Sequence, residues 1–192
     1  MPNERCARCH RELSSTAGGV LREKRRSQWT CDTCLVAQIA GDLEADGASP
    51  AFLILSDIDR VKHEFTITAQ ELDHGVIMTA TEKKKAGAHG YGFHVLGEHG
   101  ADWNLVFRGL YEKMKLALSR KHLEYKEELT DKWCVKANKV RGHLTYDTKS
   151  QRGLPLLVVD GKEFTWEDFG RIILCYEGWD FVLEFVADRD DE

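Results

Sequence analysis

The chain has 192 residues, of which 31% are charged, and its net charge is -5. This is the composition of an ordinary globular protein, with enough apolar residues for one core or two small ones. No apolar run approaches the roughly 20 residues that span a bilayer, so we expect a soluble, cytoplasmic protein with no membrane partner.

The net charge is the sum of segments along the chain that carry opposite charges. Residues 1–34 carry +3 and residues 108–143 carry +5, whereas residues 35–107 carry -6 and residues 144–192 carry -7. A protein zoned in this way is able to bind an anion through its basic segments while it remains acidic overall.

The first element is a pair of cysteine motifs, Cys6-Ala-Arg-Cys9 and Cys31-Asp-Thr-Cys34, separated by 21 residues. Each spacing allows a tight turn to direct two sulfurs at one point, so two such knuckles supply four thiolates in a tetrahedron. A closed four-cysteine site is typical of structural zinc, although iron accepts the same ligands. The intervening residues are too few and too polar to form a core, so this segment needs its metal to fold. We predict a zinc ribbon over residues 1–34 that holds one Zn²⁺.

Two other interpretations of these cysteines are less favoured. Cys6-Ala-Arg-Cys9-His10 matches the haem-attachment pattern, but no apolar signal segment precedes it and the second pair is left unexplained. Disulfides are not expected in a reducing cytosol. Cys134 and Cys175 stand alone in the sequence and are interpreted as small apolar side chains.

A connecting helix is predicted over residues 35–49, followed by a β-β-β-α unit over residues 50–139. The spacing of the apolar residues predicts that the connecting helix has one inward face. This face is formed by Leu35, Val36, Ile39, Ala40 and Leu43. Alternating runs predict three strands at residues 63–72, 76–81 and 91–96, and the apolar run at residues 52–55 is interpreted as either a short strand or the edge of a helix. Asp102 is a predicted helix cap. The amphipathic helix after it is expected to reach Tyr125, with an inward stripe formed by Trp103, Val106, Phe107, Leu110, Met114, Ala117 and Leu118.

Residues 140–192 are predicted to form a smaller β-hairpin-α-β unit with an acidic tail. Asp160-Gly161 is a two-residue hairpin signal. Thr165 and Asp168 have the spacing of a capping box at the start of a helix. After Gly178, the alternation of Trp179, Phe181, Leu183 and Phe185 with polar or smaller residues predicts a closing strand with a buried aromatic face. The predicted fold class is therefore α+β.

Two segments resemble a known family. The run from Leu154 to Gly170, which reads LPLLVVDGKEFTWEDFG, and its continuation Tyr176-Glu-Gly-Trp179 are similar to the C-terminal module of an uncharacterised bacterial family, a domain of unknown function. The segment with Leu110-Tyr-Glu-Lys-Met-Lys and Leu118-Ser-Arg-Lys-His-Leu-Glu124 resembles the same family. The resemblance implies no activity, because that family has none assigned.

Catalytic patterns are weak. His89, His94 and His99 recur at five-residue spacing, which alternates faces on an extended strand and disfavours a shared metal. Asp57-Ile-Asp59 has no third acidic partner at a recognisable spacing and is interpreted as turn chemistry. An enzyme with a site between the two α+β units is the weakest functional hypothesis, and a deep pocket with His94 or Asp59 would favour it.

Basic residues give the leading functional hypothesis, which is a non-enzymatic protein that binds DNA or RNA. One set lies in the ribbon and another follows the long helix, and together they are suited to contact a phosphate backbone. The candidate residues are Arg8, Arg22, Lys24, Arg25, Arg26, Trp29, Arg120, Lys121, Lys126, Lys132, Lys136, Lys139 and Arg141, with Trp133 as a second stacking candidate.

The alternative is a protein–protein adaptor that uses the ribbon and the acidic C-terminal unit. Since Zn²⁺ and four thiolates together carry about -2, the formal charge of the ribbon falls to about +1 once the metal is bound. A nucleic-acid role for the ribbon therefore depends on the individual basic side chains, and the fold alone does not decide between the two hypotheses.

Overall fold

A computed structural model describes residues 3–23, 26–46, 49–85, 88–127, 133–147 and 153–186. The chain divides into two compact units. The N-terminal unit comprises Met1–Lys83 and Gly92–Ser119, and the C-terminal unit comprises Lys84–Tyr91 and Arg120–Glu192. The predicted α+β class is confirmed, since helices and several antiparallel sheets occur together.

The N-terminal unit contains two sheets and two helices. A short hairpin pairs β1 with β2, and a six-stranded antiparallel sheet has the order β4-β3-β5-β6-β7-β8. The elements in chain order are β1 (Asn3–Arg5), β2 (Glu12–Ser14), β3 (Gly18–Glu23), β4 (Arg26–Cys31), α1 (Asp32–Ala45), β5 (Ala51–Ser56), β6 (Lys62–Leu72), β7 (Gly75–Glu82), β8 (Gly92–Glu98) and α2 (Trp103–Leu118).

The core of this unit follows the predicted periodicities. Strand β6 buries Phe65, Ile67 and Ala69 on one face, as alternation requires. Helix α1 buries the five apolar residues predicted for it. Helix α2 begins at the predicted cap, where the Asp102 carboxylate accepts a hydrogen bond from the Asn104 N–H.

Helix α2 is shorter than we predicted from its apolar stripe. It ends at Leu118 with Ser119 as its C-cap, so the prediction that it reaches Tyr125 is wrong. The residues that follow are extended and paired in a strand of the C-terminal unit. The boundary between the units thus falls after Ser119, whereas the sequence suggested residue 139.

The four-cysteine segment is continuous with the main sheet. Strand β3 pairs with β5 through Val20↔Ile54 and Leu21↔Leu53, and β4 extends the same sheet by one strand. The structure therefore groups residues predicted as a separate ribbon with the sheet and α2 in one unit.

In its described residues, the C-terminal unit contains two small sheets, one α-helix and the short 3-10 helix Leu174–Tyr176. Strand β9 (Leu123–Tyr125) pairs with β10 (Trp133–Val135). A three-stranded sheet joins β11 (His143–Tyr146), β12 (Pro155–Val159) and β13 (Lys162–Thr165) in that order. Helix α3 (Trp166–Ile173) packs on them, and the buried core consists of Leu123, Val135, Leu157, Val159, Phe164 and Ile172.

Two local predictions for this unit are confirmed, the hairpin turn and the helix capping box. Asp160 and Gly161 form the two-residue turn between β12 and β13, with positive φ angles of 51° and 71°. These angles match the mirror-image turn that an Asp-Gly pair favours. Thr165 and Asp168 form the reciprocal capping box at the start of α3.

The predicted closing strand is wrong. Residues 179–186 carry no strand assignment, and they pair with no other described strand. Phe181 is 87% exposed and Phe185 is 73% exposed, so the predicted aromatic face is not buried. The predicted acidic tail at residues 188–192 lies outside the described residues.

A buried cluster of charged side chains lies between β5, β6 and β7. His63 Nδ1 is 2.7 Å from Glu82 Oε1, and His63 Nε2 is 3.1 Å from Asp57 Oδ2. All three side chains are at least 93% buried. Asp57 Oδ1 also accepts hydrogen bonds from the N–H groups of Asp59 and Val61. His63 therefore joins the two buried carboxylates through both of its ring nitrogens.

Replacing His63 is predicted to destabilise the N-terminal unit strongly. His63→Ala leaves two buried carboxylates without their shared partner, and we expect the free energy of unfolding to fall by about 3–5 kcal/mol. Urea denaturation measures this change. His74→Ala is the matched control, because His74 is exposed in the turn between β6 and β7, and it should stay within about 0.5 kcal/mol of wild type. Equal stability of the two variants would contradict the interpretation.

Candidate metal centre

The first cysteine pair lies in a tight turn between β1 and β2. Cys6 N–H donates to the Arg11 carbonyl at 2.9 Å, and His10 N–H donates to the Cys6 carbonyl at 3.0 Å. His10 adopts a positive φ of 61°, which histidine tolerates better than most residues. This turn closes the loop and directs the sulfurs of Cys6 and Cys9 to the same side.

The second pair lies at the start of a helix, not in a second knuckle. Cys31 ends β4 and occupies the N-cap of α1, which places Cys34 in the first turn of the helix. Helix N-termini stabilise negative charge, so this position favours thiolates. The N–H of Cys31 also contacts Cys6 Sγ at 3.4 Å, which links the two pairs directly.

The four sulfurs converge as a single metal site requires. All four Sγ atoms lie within 4.8 Å of one another, and the Cys9 and Cys31 sulfurs are 3.7 Å apart. A tetrahedron with metal–sulfur bonds of about 2.3 Å has sulfur–sulfur edges of about 3.8 Å, so the geometry fits. All six cysteines fall within the described ranges and none is in a disulfide. The four are therefore placed to bind one metal ion.

Electrostatics within the cluster favour a bound cation. Burial raises the pKa of the Cys6 thiol, but hydrogen bonds from the backbone of Cys31, Cys9 and Arg8 outweigh it and lower that pKa to about 6. Burial raises the pKa of Cys31, and burial together with the neighbouring cysteines raises the pKa of Cys34 to about 12. Four thiolates at this separation repel one another, and a divalent cation offsets that repulsion.

The cluster is tied to α2 by a polar contact. Asp32, next to Cys31, accepts a hydrogen bond from the Tyr111 hydroxyl at 2.6 Å and pairs with Lys115 Nζ at 2.7 Å. Lys115 also donates to the Thr16 carbonyl at 3.0 Å. Burial, followed by the Asp32 carboxylate, raises the pKa of Tyr111, so the phenol stays a hydrogen-bond donor. The first turn of α1 is thereby fixed to the long helix.

A groove of about 610 Å³ lies beside this contact and is lined mainly by α1 and α2. Neither His94 nor Asp59, the two side chains that would favour an enzyme, is among its lining residues. His94 lies on β8, where burial and then the Lys113 charge lower its pKa. The Asp57-Ile-Asp59 motif serves as turn chemistry, as the sequence indicated.

His89 and His99, the other two histidines of the five-residue series, are also not among the residues that line the groove. His89 belongs to the C-terminal unit, and its N–H donates to the Glu163 carboxylate. His99 is exposed in the turn after β8. Among the described residues, His89, His94 and His99 do not belong to any group of potential metal ligands.

Loss of one buried thiolate is predicted to abolish metal binding. For Cys31→Ser we expect less than one metal ion per chain and an unfolded N-terminal unit, because structural zinc contributes about 10–16 kcal/mol and whole domains are stable by about 5–15 kcal/mol. Elemental analysis and circular dichroism measure the two effects. Cys175→Ser is the control, since Cys175 is exposed and lies outside the cluster. A folded Cys31→Ser protein with unchanged metal content would contradict the assignment.

The basic residues predicted near the cysteines are only partly available. Arg8 is exposed in the first turn. Arg22 is occupied by an ion pair with Glu64 at 2.7 Å. Trp29 is not free for stacking, because its indole lies against Gly18, where an added Cβ would come within 2.7 Å of the ring. Lys24, Arg25 and the side chain of Arg26 lie outside the described residues.

The second basic set is brought together in the C-terminal unit. Pairing of β9 with β10 continues to Lys136, whose N–H donates to the His122 carbonyl at 2.7 Å, and His122 Nδ1 lies 3.2 Å from the Lys139 carbonyl. We use the name basic cluster for the basic residues on and beside these two adjoining segments, Arg120, Lys121, His122, Lys136, Lys139 and Arg141; Lys121 and His122 are half-buried and the others are exposed. Lys132 lies outside the described residues.

The Asp160 carboxylate holds the backbone of this cluster at His122, and the sequence did not indicate this role for it. Asp160 Oδ2 accepts hydrogen bonds from the N–H groups of His122 and Leu123, both at 2.8 Å. Asp160 was predicted only as a turn residue, and nothing in its spacing identified His122 as a neighbour. Two other residues proposed for nucleic-acid binding already have partners. Lys126 pairs with Glu124 at 2.7 Å, and Lys162 Nζ lies 4.8 Å from the centroid of the Trp133 ring.

Two family models match parts of the chain. One described as Domain of unknown function (DUF7686) matches residues 50–119, and one described as Domain of unknown function (DUF7713) matches residues 122–191. The similarity to uncharacterised domains is confirmed for both segments, although they match two models and not one. No curated protein and no solved structure matches the chain. In the described part of the chain, the helices are too short or too polar to span a membrane.

Proposed function

We propose that the four-cysteine cluster holds one Zn²⁺ with a structural role. Four cysteines complete a tetrahedral shell and leave no position for substrate or water. The ion supplies charge compensation and fixes β4 and α1 relative to the first knuckle. Zinc is favoured over iron as the default occupant of such a set. An isolated protein that contains iron, with the visible absorption of an iron–thiolate site, would overturn this part.

We propose that the protein is a non-enzymatic binding protein that contacts nucleic acid through the basic cluster of its C-terminal unit. The supporting observation is that the chain at His122, directly after Arg120 and Lys121, contacts the backbone of Lys136 and Lys139. Flexible cationic side chains around one point are suited to phosphate groups, which are spaced regularly along a nucleic-acid strand.

The arrangement supports backbone contacts more than base recognition. Lysine is a compact point charge with no planar fork, so it neutralises phosphate without reading sequence. The aromatic residues proposed for stacking, Trp29 and Trp133, are packed against neighbours in their own units. We therefore expect weak sequence preference and a steep dependence on salt. Exposed Arg8 remains the one described ribbon residue proposed as an additional contact.

Charge reversal in the basic cluster is predicted to remove nucleic-acid binding. For Lys136→Glu/Lys139→Glu we expect the affinity for short DNA and RNA to fall by about tenfold or more, and the slope of log affinity against log salt to decrease by about two. Fluorescence anisotropy at several salt concentrations measures both. The matched control is Lys62→Glu/Lys85→Glu, which reverses two exposed lysines outside the cluster.

Two results would contradict this function. One is no binding by the wild-type protein at about 50 mM salt, where phosphate contacts are strongest. The other is an equal loss in the cluster variant and its control, which would indicate a response to net charge alone.

A protein–protein adaptor remains the second candidate. It is favoured by exposed apolar side chains in the C-terminal unit, among them Leu174 at 65% and Trp179 at 64% exposure. An adaptor surface of this kind would not respond to Lys136→Glu/Lys139→Glu, so the same variant separates the two functions.

A further inference from the structure

His122 is the histidine of the basic cluster, and its backbone and its ring are both held in place. Its N–H donates to Asp160 Oδ2 at 2.8 Å, and its carbonyl accepts the Lys136 N–H at 2.7 Å. Its ring nitrogen Nδ1 lies 3.2 Å from the Lys139 carbonyl. These contacts fix the position of the residue and the orientation of its ring.

The contact with Lys139 determines which ring nitrogen remains available. A carbonyl oxygen only accepts hydrogen bonds, so Nδ1 of His122 carries a proton and donates it. The other nitrogen, Nε2, is then an acceptor in the neutral ring and a second donor in the protonated ring. Nε2 has no partner among the described residues. It is also not one of the described side-chain atoms that are buried without a hydrogen bond, so solvent reaches it.

Most of the charged groups near His122 are cations. The titratable groups on the segments that contact it are Arg120, Lys121, Glu124, Cys134, Lys136, Lys139, Arg141 and Asp160. The carboxylates among them already have partners, since Glu124 pairs with Lys126 and Asp160 Oδ2 accepts two backbone N–H groups. A phosphate group bound among these cations favours a protonated Nε2, because it offers both an oxygen acceptor and a negative charge.

We propose that His122 binds a phosphate group of the nucleic acid through protonated Nε2, and that the affinity therefore depends on pH. The inference rests on the proposed nucleic-acid function and adds the regulation of that site. Histidine is the side chain whose charge changes between about pH 5 and 8. In the neutral ring Nε2 and the phosphate oxygens are all acceptors, whereas protonated Nε2 donates a charge-assisted hydrogen bond. Binding thus takes up a proton and strengthens as the pH falls.

The affinity of the wild-type protein for a single-stranded oligothymidine is expected to rise between about pH 8 and about pH 6. One charge-assisted hydrogen bond corresponds to a rise of about three- to tenfold. Neither thymine nor the phosphodiester group changes charge in this range, so the rise reports on the protein. The slope of log affinity against log salt is expected to steepen by about 0.7, because one more phosphate is neutralised. Fluorescence anisotropy measures both quantities.

Two variants separate the charge of His122 from its structural contacts. In His122→Asn the amide keeps a donor near the place of Nδ1 and lacks Nε2, so we expect wild-type affinity at about pH 8 and no rise toward about pH 6. His122→Lys is charged over this whole range, so its affinity should not depend on pH. His99→Asn is the matched control, because His99 is exposed in the N-terminal unit, and it should keep the wild-type profile.

Proton uptake gives a measurement that depends on no variant. Calorimetry of wild-type binding in two buffers of different ionisation enthalpy reports the number of protons taken up with the oligothymidine. We expect a value that approaches about one proton per binding event near the middle of the pH range. His122→Asn is expected to take up none.

The possible failures distinguish this inference from the function on which it rests. A wild-type protein that binds at neither pH overturns both. A wild-type protein that binds equally at both pH values, or that takes up no proton, overturns the role of His122 alone. The same conclusion follows if His122→Asn keeps the rise, or if His143→Asn, a change on β11 of the same unit, removes it. Loss of the wild-type circular dichroism signal at the lower pH would attribute the effect to unfolding and also overturn the inference.

Discussion

The convergence of four cysteine sulfurs is the constraint on which the N-terminal unit depends. Two sulfurs come from a turn stabilised by Cys6 and His10 backbone bonds, and two come from the first turn of α1. The turn that holds Cys6 and Cys9 is short and polar, so it is not expected to persist alone, whereas α1 is also held by its buried apolar face. A metal ion bound by all four sulfurs, as proposed above, would fix the end of β4 and the start of α1 at the same point. The short polar stretch around the cysteines thereby acquires a defined structure without a core of its own.

The effect of that constraint extends to the long helix. Asp32 follows Cys31 directly, so the metal ligand and the carboxylate that binds Tyr111 and Lys115 are positioned by the same helical turn. Helix α2 in turn buries Phe107, Leu110 and Met114. The cysteine cluster, the six-stranded sheet and α2 therefore belong to one compact unit, and the C-terminal unit has its own core, in which the Asp160 carboxylate binds the Leu123 N–H.

Patterns with a local physical cause were predictable from the sequence. The cysteine spacing, the inward face of α1, the Asp160-Gly161 turn and the Thr165 capping box each depend on a few neighbouring residues, and each is found. Features that depend on residues distant in the sequence were not predictable in this way. The apolar stripe of α2 continues toward Leu123, but that residue is held in a strand by Val135 and Asp160. The His63 cluster joins residues from β6, β7 and the turn after β5, so no spacing indicated it.

The position of the cysteine cluster also bears on solubility. Strand β4 is the last strand of the six-stranded sheet, and its outer edge has no strand partner among the described residues. Open edges are templates for pairing between molecules, and proteins cover them by various means. Here the first knuckle does so, since Ala7 N–H donates to the Trp29 carbonyl on β4 at 3.1 Å. The turn that carries Cys6 and Cys9 therefore covers part of this edge, and its displacement would expose backbone groups suited to strand pairing between molecules.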